Sequence, residues 1–147
     1  MSILEQLNER QREAAACVDH HVRIIAGAGS GKTRVVTVRI AYLIDECHVY
    51  PNRILAITFT NKAAREMKER VESMLGPLAA SVRISTIHSF CVRLLREDIQ
   101  EIGYPRSFTI LDSEDQKSIL KEIYKEKEID AKSYAYGAVL AYISSCK

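Results

Sequence analysis

Apolar residues recur along this chain with two periods. Val22-Arg23-Ile24-Ile25-Ala26, Ile54-Leu55-Ala56-Ile57-Thr58-Phe59 and Val82-Arg83-Ile84-Ser85-Thr86 are short, β-branched runs that predict strands. The second is apolar enough to predict a strand buried on both faces. Elsewhere the spacing is helical. Val36, Ile40, Leu43 and Ile44 predict a helix from Lys32 to about Glu46, and Ala64, Met67, Val71, Met74 and Leu75 predict another, capped by Thr60 and stopped at Gly76-Pro77. Asn8 with Gln11 three residues on forms a capping-box pattern for a helix running through Ala16. Beyond residue 88 the chain turns helical: His88 to about Ile102, a helix opened by a second capping box at Ser113 to Gln116 with Ile119, Leu120, Ile123 and Tyr124 inward, and a last helix over Ser133 to Lys147. Strand–helix alternation through residue 86 predicts a parallel α/β sheet with right-handed crossovers, thin at three strands.

The first predicted strand runs straight into Ala26-Gly27-Ala28-Gly29-Ser30-Gly31-Lys32-Thr33. A strand, a glycine-rich turn and Gly-Lys-Thr opening a helix make the phosphate-binding loop of P-loop NTPases. Glycines at 27, 29 and 31 permit torsions that aim consecutive N–H groups at phosphate oxygens. Lys32 supplies a mobile cation for the β- and γ-phosphates, the Thr33 hydroxyl can ligate Mg²⁺, and the helix adds its positive end. Ala26 stands where the G-x-x-x-x-G-K-S/T pattern has its first glycine, and is small enough to pack there.

Composition restricts the picture without deciding it. The 147 residues are 47% hydrophobic and 27% charged, with a formal net charge of +2, an ordinary globular balance. No run approaches a membrane span, and Met1 to Gln6 has neither a basic nor an apolar leader region. The cysteines at 17, 47, 91 and 146 form no C-x-x-C pair, which argues against a zinc site or disulfide framework and predicts a cytoplasmic protein. Lysine and arginine outnumber aspartate and glutamate between Arg53 and Arg106, which composition alone reads as a solvated face sooner than as a binding face.

Hydrolysis needs more than the loop: a carboxylate at a strand tip to hold Mg²⁺ and activate water, and a cationic finger. Asp45-Glu46 follows an apolar run but lies on the helix leaving the loop. Asp112 stands alone and, with Ser113, more simply starts a helix. Neither supplies the missing pair.

Several local patterns are similar to one family. Leu7 to Ala14 looks like the Q motif, Ala26 to Arg34 like the phosphate loop with its alanine, Ile57-Thr58-Phe59-Thr60-Asn61-Lys62-Ala63-Ala64-Arg65-Glu66-Met67 like motif Ia, and Thr86-Ile87-His88-Ser89-Phe90 like motif Ib. Phe108 to Gln116 and Ile143 to Lys147 match landmarks of the helical insertion called 1B. The chain thus resembles, collinearly over essentially its whole length, the N-terminal portion of UvrD/Rep/PcrA-type superfamily 1 DNA helicases.

The resemblance implies an incomplete RecA-like P-loop NTPase sheet flanked by helices over residues 1–88, followed by the truncated helical start of 1B over 89–147. It implies ATP and Mg²⁺ as ligands, with Gln11 reading adenine, Arg34 near base and sugar, and the 26–33 loop on the phosphates. It places single-stranded DNA on Phe59, Asn61, Lys62, Thr86, His88 and Ser89, with 3′→5′ travel and a nucleoid-associated setting. Nothing in the chain resembles the family's carboxylate motif, arginine fingers or second motor domain. The expectation is therefore an N-terminal fragment that is catalytically inactive alone. Two rivals are weighed beside it. A P-loop kinase of small molecules would need a lid and basic clamp, and has no use for Phe59-Thr60-Asn61-Lys62 at a strand tip. A non-catalytic module would bind nucleotide or DNA weakly, or dimerise through an uncovered sheet edge or its C-terminal helices.

Overall fold

The computed structural model describes residues 2–146. Two compact units divide after Asp98. In the first, the order is a 3₁₀ turn at Ile3–Gln6, α1 (Glu9–Ala16), α2 (Lys32–Asp45), β1 (Leu55–Thr58), α3 (Asn61–Leu75), β2 (Arg83–Thr86) and α4 (Ile87–Asp98). The second unit carries α5 (Ser113–Glu126) and α6 (Tyr136–Ser145). Among the described residues no helix is long and apolar enough to cross a membrane.

β1 and β2 pair in parallel with Leu55 opposite Arg83 and Thr58 opposite Thr86, and α3 makes the crossover between them. α2 is buried on two sides. Ile40 and Ile44 join Ala56, Met67, Val71, Ala79 and Val82 in one apolar cluster, while Val35 and Val38 close on Leu4, Leu7 and Ala15 in another. This explains why α2 carries apolar residues around more of its circumference than a surface helix does.

Val22 to Ala26 carries no regular secondary structure, so among the described residues the expected third strand is absent and the sheet has two. A strand is a ladder, and an apolar period cannot supply the neighbour that makes one. Ile25 is accordingly 83% exposed. For the same reason β1 is covered on one face only: Ala56 is buried, whereas Leu55 and Ile57 stay exposed, against the two-sided burial expected.

The boundary expected after residue 88 falls inside α4. That helix leaves β2 without a break, because the Thr86 hydroxyl accepts the Ser89 N–H at 3.2 Å and caps it. In the second unit the capping box sits one residue earlier than expected. Asp112 accepts from the N–H groups of Glu114 and Asp115 at 2.7 and 2.8 Å, and its own N–H donates to Asp115 at 3.1 Å. Aspartate outcompetes the serine beside it because its charge also meets the positive helix end. Leu120 and Tyr124 are buried, the Tyr124 ring packing at a tilt of 42° against Tyr136 with centroids 4.8 Å apart, but Ile119 and Ile123 are exposed, contrary to expectation. The last helix begins at Tyr136 because Asp130 first closes a turn, accepting from Lys132 N–H and from the N–H and hydroxyl of Ser133. These bonds, that from Lys132 first, hold the Asp130 carboxyl below the usual carboxylate range. Of the landmark at Ile143 to Lys147, Lys147 lies outside the described residues.

Candidate functional site

The loop after Ile25 turns at its glycines. Gly29 and Gly31 take φ values of 75° and 81°, in the left-handed region that a side chain resists. Gly31 is the N-cap of α2, so Lys32 and Thr33 are its first two residues and the free N–H groups of the first turn point into the loop. Lys32 Nζ reaches back across the loop, donating to the carbonyls of Ala26 at 2.9 Å and Gly27 at 2.6 Å. An ammonium held by two neutral carbonyls exchanges them readily for phosphate oxygens, which make stronger charge-assisted bonds. Thr33 is exposed beside it, its hydroxyl unbonded among the described residues and so available to Mg²⁺.

Gln11 is brought to the same place from α1. Its Oε1 accepts the Asn8 N–H at 3.2 Å, completing the expected capping box, and its Nε2 donates to the Ser30 carbonyl at 3.1 Å. A Cβ at Gly31 would stand 2.9 Å from that Nε2, so the glycine also makes room for the glutamine. Gln11, Ser30 and Lys32 border one cleft of about 250 Å³, walled by Ala14, Ile24 and Val35. Among the described residues no carboxylate lines it. Arg34 does not join it: its guanidinium donates to the Gln6 carbonyl at 2.8 Å, so contact with a base or sugar would require that bond to be exchanged.

Sequence reasoning missed the residue that locks α1 to α2. Arg39 Nη1 donates to the carbonyls of Ala14, Ala15 and Cys17 at 3.0, 3.1 and 2.6 Å, gathering the free C-terminal carbonyls of α1. The only sequence signal was negative: α1 ends in Ala14-Ala15-Ala16 with no glycine cap or basic residue in its last turn. Arg39→Met keeps much of the stem but loses the donors. It is expected to destabilise the chain by about 2 kcal/mol, the scale of hydrogen bonds to a charged group. Urea denaturation checks this, and an unchanged midpoint would show that water replaces the guanidinium without cost.

The other candidate residues gather at the C-terminal ends of β1 and β2, level with each other because Thr58 pairs with Thr86. Phe59 is 96% exposed on the tip of β1. Asn61 and Lys62 open α3, exposed, after Thr60 has capped the helix by accepting the Ala63 N–H at 3.1 Å. His88 and Ser89 are exposed at the start of α4. Thr86 differs. It is buried, and its hydroxyl is engaged with Ser89, so it shapes the tip from beneath rather than facing outward. The two rejected carboxylate candidates have structural duties. Glu46 accepts from the Ser2 hydroxyl and the Ile3 N–H, and Asp112 caps α5.

With this geometry in view, comparison with known proteins is decisive. The family model described as UvrD/REP helicase N-terminal domain matches residues 7–147. The chain belongs to this family. It is 58% identical over 145 residues to the ATP-dependent DNA helicase PcrA of Bacillus subtilis (strain 168), covering 99% of this chain and 20% of that protein. Against the ATP-dependent DNA helicase PcrA of Staphylococcus aureus (strain Mu50 / ATCC 700699) it is 51% identical over 146 residues, and against that of Staphylococcus epidermidis 50%, with the same coverage. The chain thus spans about one fifth of the length of these relatives. The two-stranded parallel sheet with its flanking helices is consistent with an incomplete RecA-like helicase domain.

Proposed function

We propose that this chain forms the ATP-binding face and part of the single-strand track of an ATP-dependent DNA helicase. The observation that carries the reading is the convergence of Gln11 and the Lys32 loop on one cleft, from two helices locked together by Arg39. In this reading the loop N–H groups and Lys32 hold the phosphates, and Thr33 takes Mg²⁺. The Gln11 carboxamide, pairing an NH₂ donor with a carbonyl acceptor, exchanges its present partners for the matching edge of adenine. Mg²⁺, when bound, supplies charge neutralisation across the phosphates.

Binding and hydrolysis separate here. Among the described residues no acidic side chain lines the cleft, and in this reading the chain binds ATP while turnover belongs to the whole helicase. Travel on DNA and its 3′→5′ direction belong to the whole helicase and rest on family membership. Self-association through the sheet edge or the C-terminal helices gains no support from the relatives and forms no part of this reading. A small-molecule kinase would leave the exposed Phe59 at the tip of β1 without a purpose.

Base choice tests the nucleotide half. A fluorescent ATP analogue bound by the chain should be displaced by ATP ahead of GTP, and Gln11→Ala should erase that preference, worth about 1–3 kcal/mol for a bidentate amide–adenine pair. Equal displacement by both nucleotides in the unaltered chain would remove Gln11 from base recognition.

A further inference from the structure

A second concavity, of about 390 Å³, lies beside β2 in the first unit, and neither the nucleotide cleft nor the strand tips account for it. Three cations from three elements line it: Lys68 from α3, Arg83 from β2 and Arg93 from α4. Asn52, Ser85 and Phe90 complete the part that matters, and no aspartate or glutamate lines it. Solvated charges usually diverge into water; three like charges sharing one concavity raise the local potential and favour an anion. Lys68 has an exposed partner in Glu72 at 3.7 Å, a pair that an arriving anion displaces at little cost.

The chain itself connects this cleft to the strand tips. Ser85 directly precedes Thr86, and Phe90 directly follows Ser89, so one end of the concavity is lined by chain neighbours of the tip residues, while Asn52 and Ala80, ahead of β1 and β2, line the other. From Thr86 back to Arg83 the strand covers about 10 Å. Resting on the single-strand reading above, we infer that this cleft is a further contact for the DNA. Lys68, Arg83 and Arg93 take phosphates of the strand beyond the tips, and the half-buried Phe90 ring offers a surface to a base. The adjacency of Ser85 and Phe90 to Thr86 and Ser89 favours this occupant over an acidic peptide.

The test is fluorescence anisotropy of the full chain with labelled dT4 and dT12 over a series of NaCl concentrations. The double variant Arg83→Ala/Arg93→Ala should weaken dT12 about tenfold at low salt and lower its salt slope by about 1.4, roughly 0.7 per phosphate, while dT4 is little changed. Arg83→Lys/Arg93→Lys should restore most of the slope, which separates lost charge from lost folding. If the alanine variant binds dT12 as the unaltered chain does, while Phe59→Ala weakens both oligonucleotides, the cleft proposal fails and the strand tips stand. If poly-glutamate binds the cleft and the alanine variant loses that affinity alone, the occupant is an acidic chain and the proposal is overturned. No binding of either oligonucleotide by the unaltered chain would overturn both readings.

Discussion

Lys32→Ala is expected to raise the dissociation constant for Mg-ATP by about 10- to 150-fold, the equivalent of roughly 1.5–3 kcal/mol for charge-assisted bonds to phosphate. The side chain is exposed and, among the described residues, bonds only the carbonyls of Ala26 and Gly27. Its removal therefore takes little from folding and acts almost wholly on the ligand. The loop keeps its shape through Gly29, Gly31 and the Gln11–Ser30 bond, so the variant loses the cation without losing the cradle. A titration with a fluorescent ATP analogue at fixed salt, alongside a thermal melt, separates the two effects. A variant that binds within twofold of the unaltered chain would mean Lys32 stays on its carbonyls and plays no part with phosphate.

Phe59→Ala is expected to weaken single-stranded DNA by about 1–3 kcal/mol, the measured range for one base stacked on an aromatic ring. At 96% exposure the ring contributes almost nothing to the core, so stability should be unchanged. An exposed phenylalanine between a strand and a capped helix invites a planar partner, and the neighbouring Asn61, Lys62 and His88 offer donors to the backbone of the same strand. Anisotropy with a short oligothymidine reads the effect. Unaltered affinity together with an unaltered melt would take Phe59 off the track.

Local chemistry was legible in the sequence where it depends on neighbours a few residues away. The Asn8–Gln11 capping box, the glycine turns of the loop, the Thr60 cap and the stop at Gly76 all appear where the residues predict them. What depends on distant partners was not. Val22 to Ala26 has a strand's pattern but no strand beside it, and Leu55 and Ile57 have a buried strand's pattern with one face uncovered. Arg39 as the clamp on α1 was invisible because its three acceptors lie more than twenty residues away. The site residues were named largely through resemblance; the structure brings Gln11 to the loop, levels the two strand tips, turns Thr86 inward and holds Arg34 on Gln6.

Two ligands are expected to meet this chain at two separate places. Amide chemical-shift mapping of the labelled chain, first with Mg-ATP and then with a short oligothymidine, reads both at once. Mg-ATP should perturb Gln11, Gly29, Gly31, Lys32 and Thr33, and the oligonucleotide should perturb Phe59, Asn61, His88 and Ser89. Shifts confined to other residues, or both ligands moving one set, would contradict that expectation.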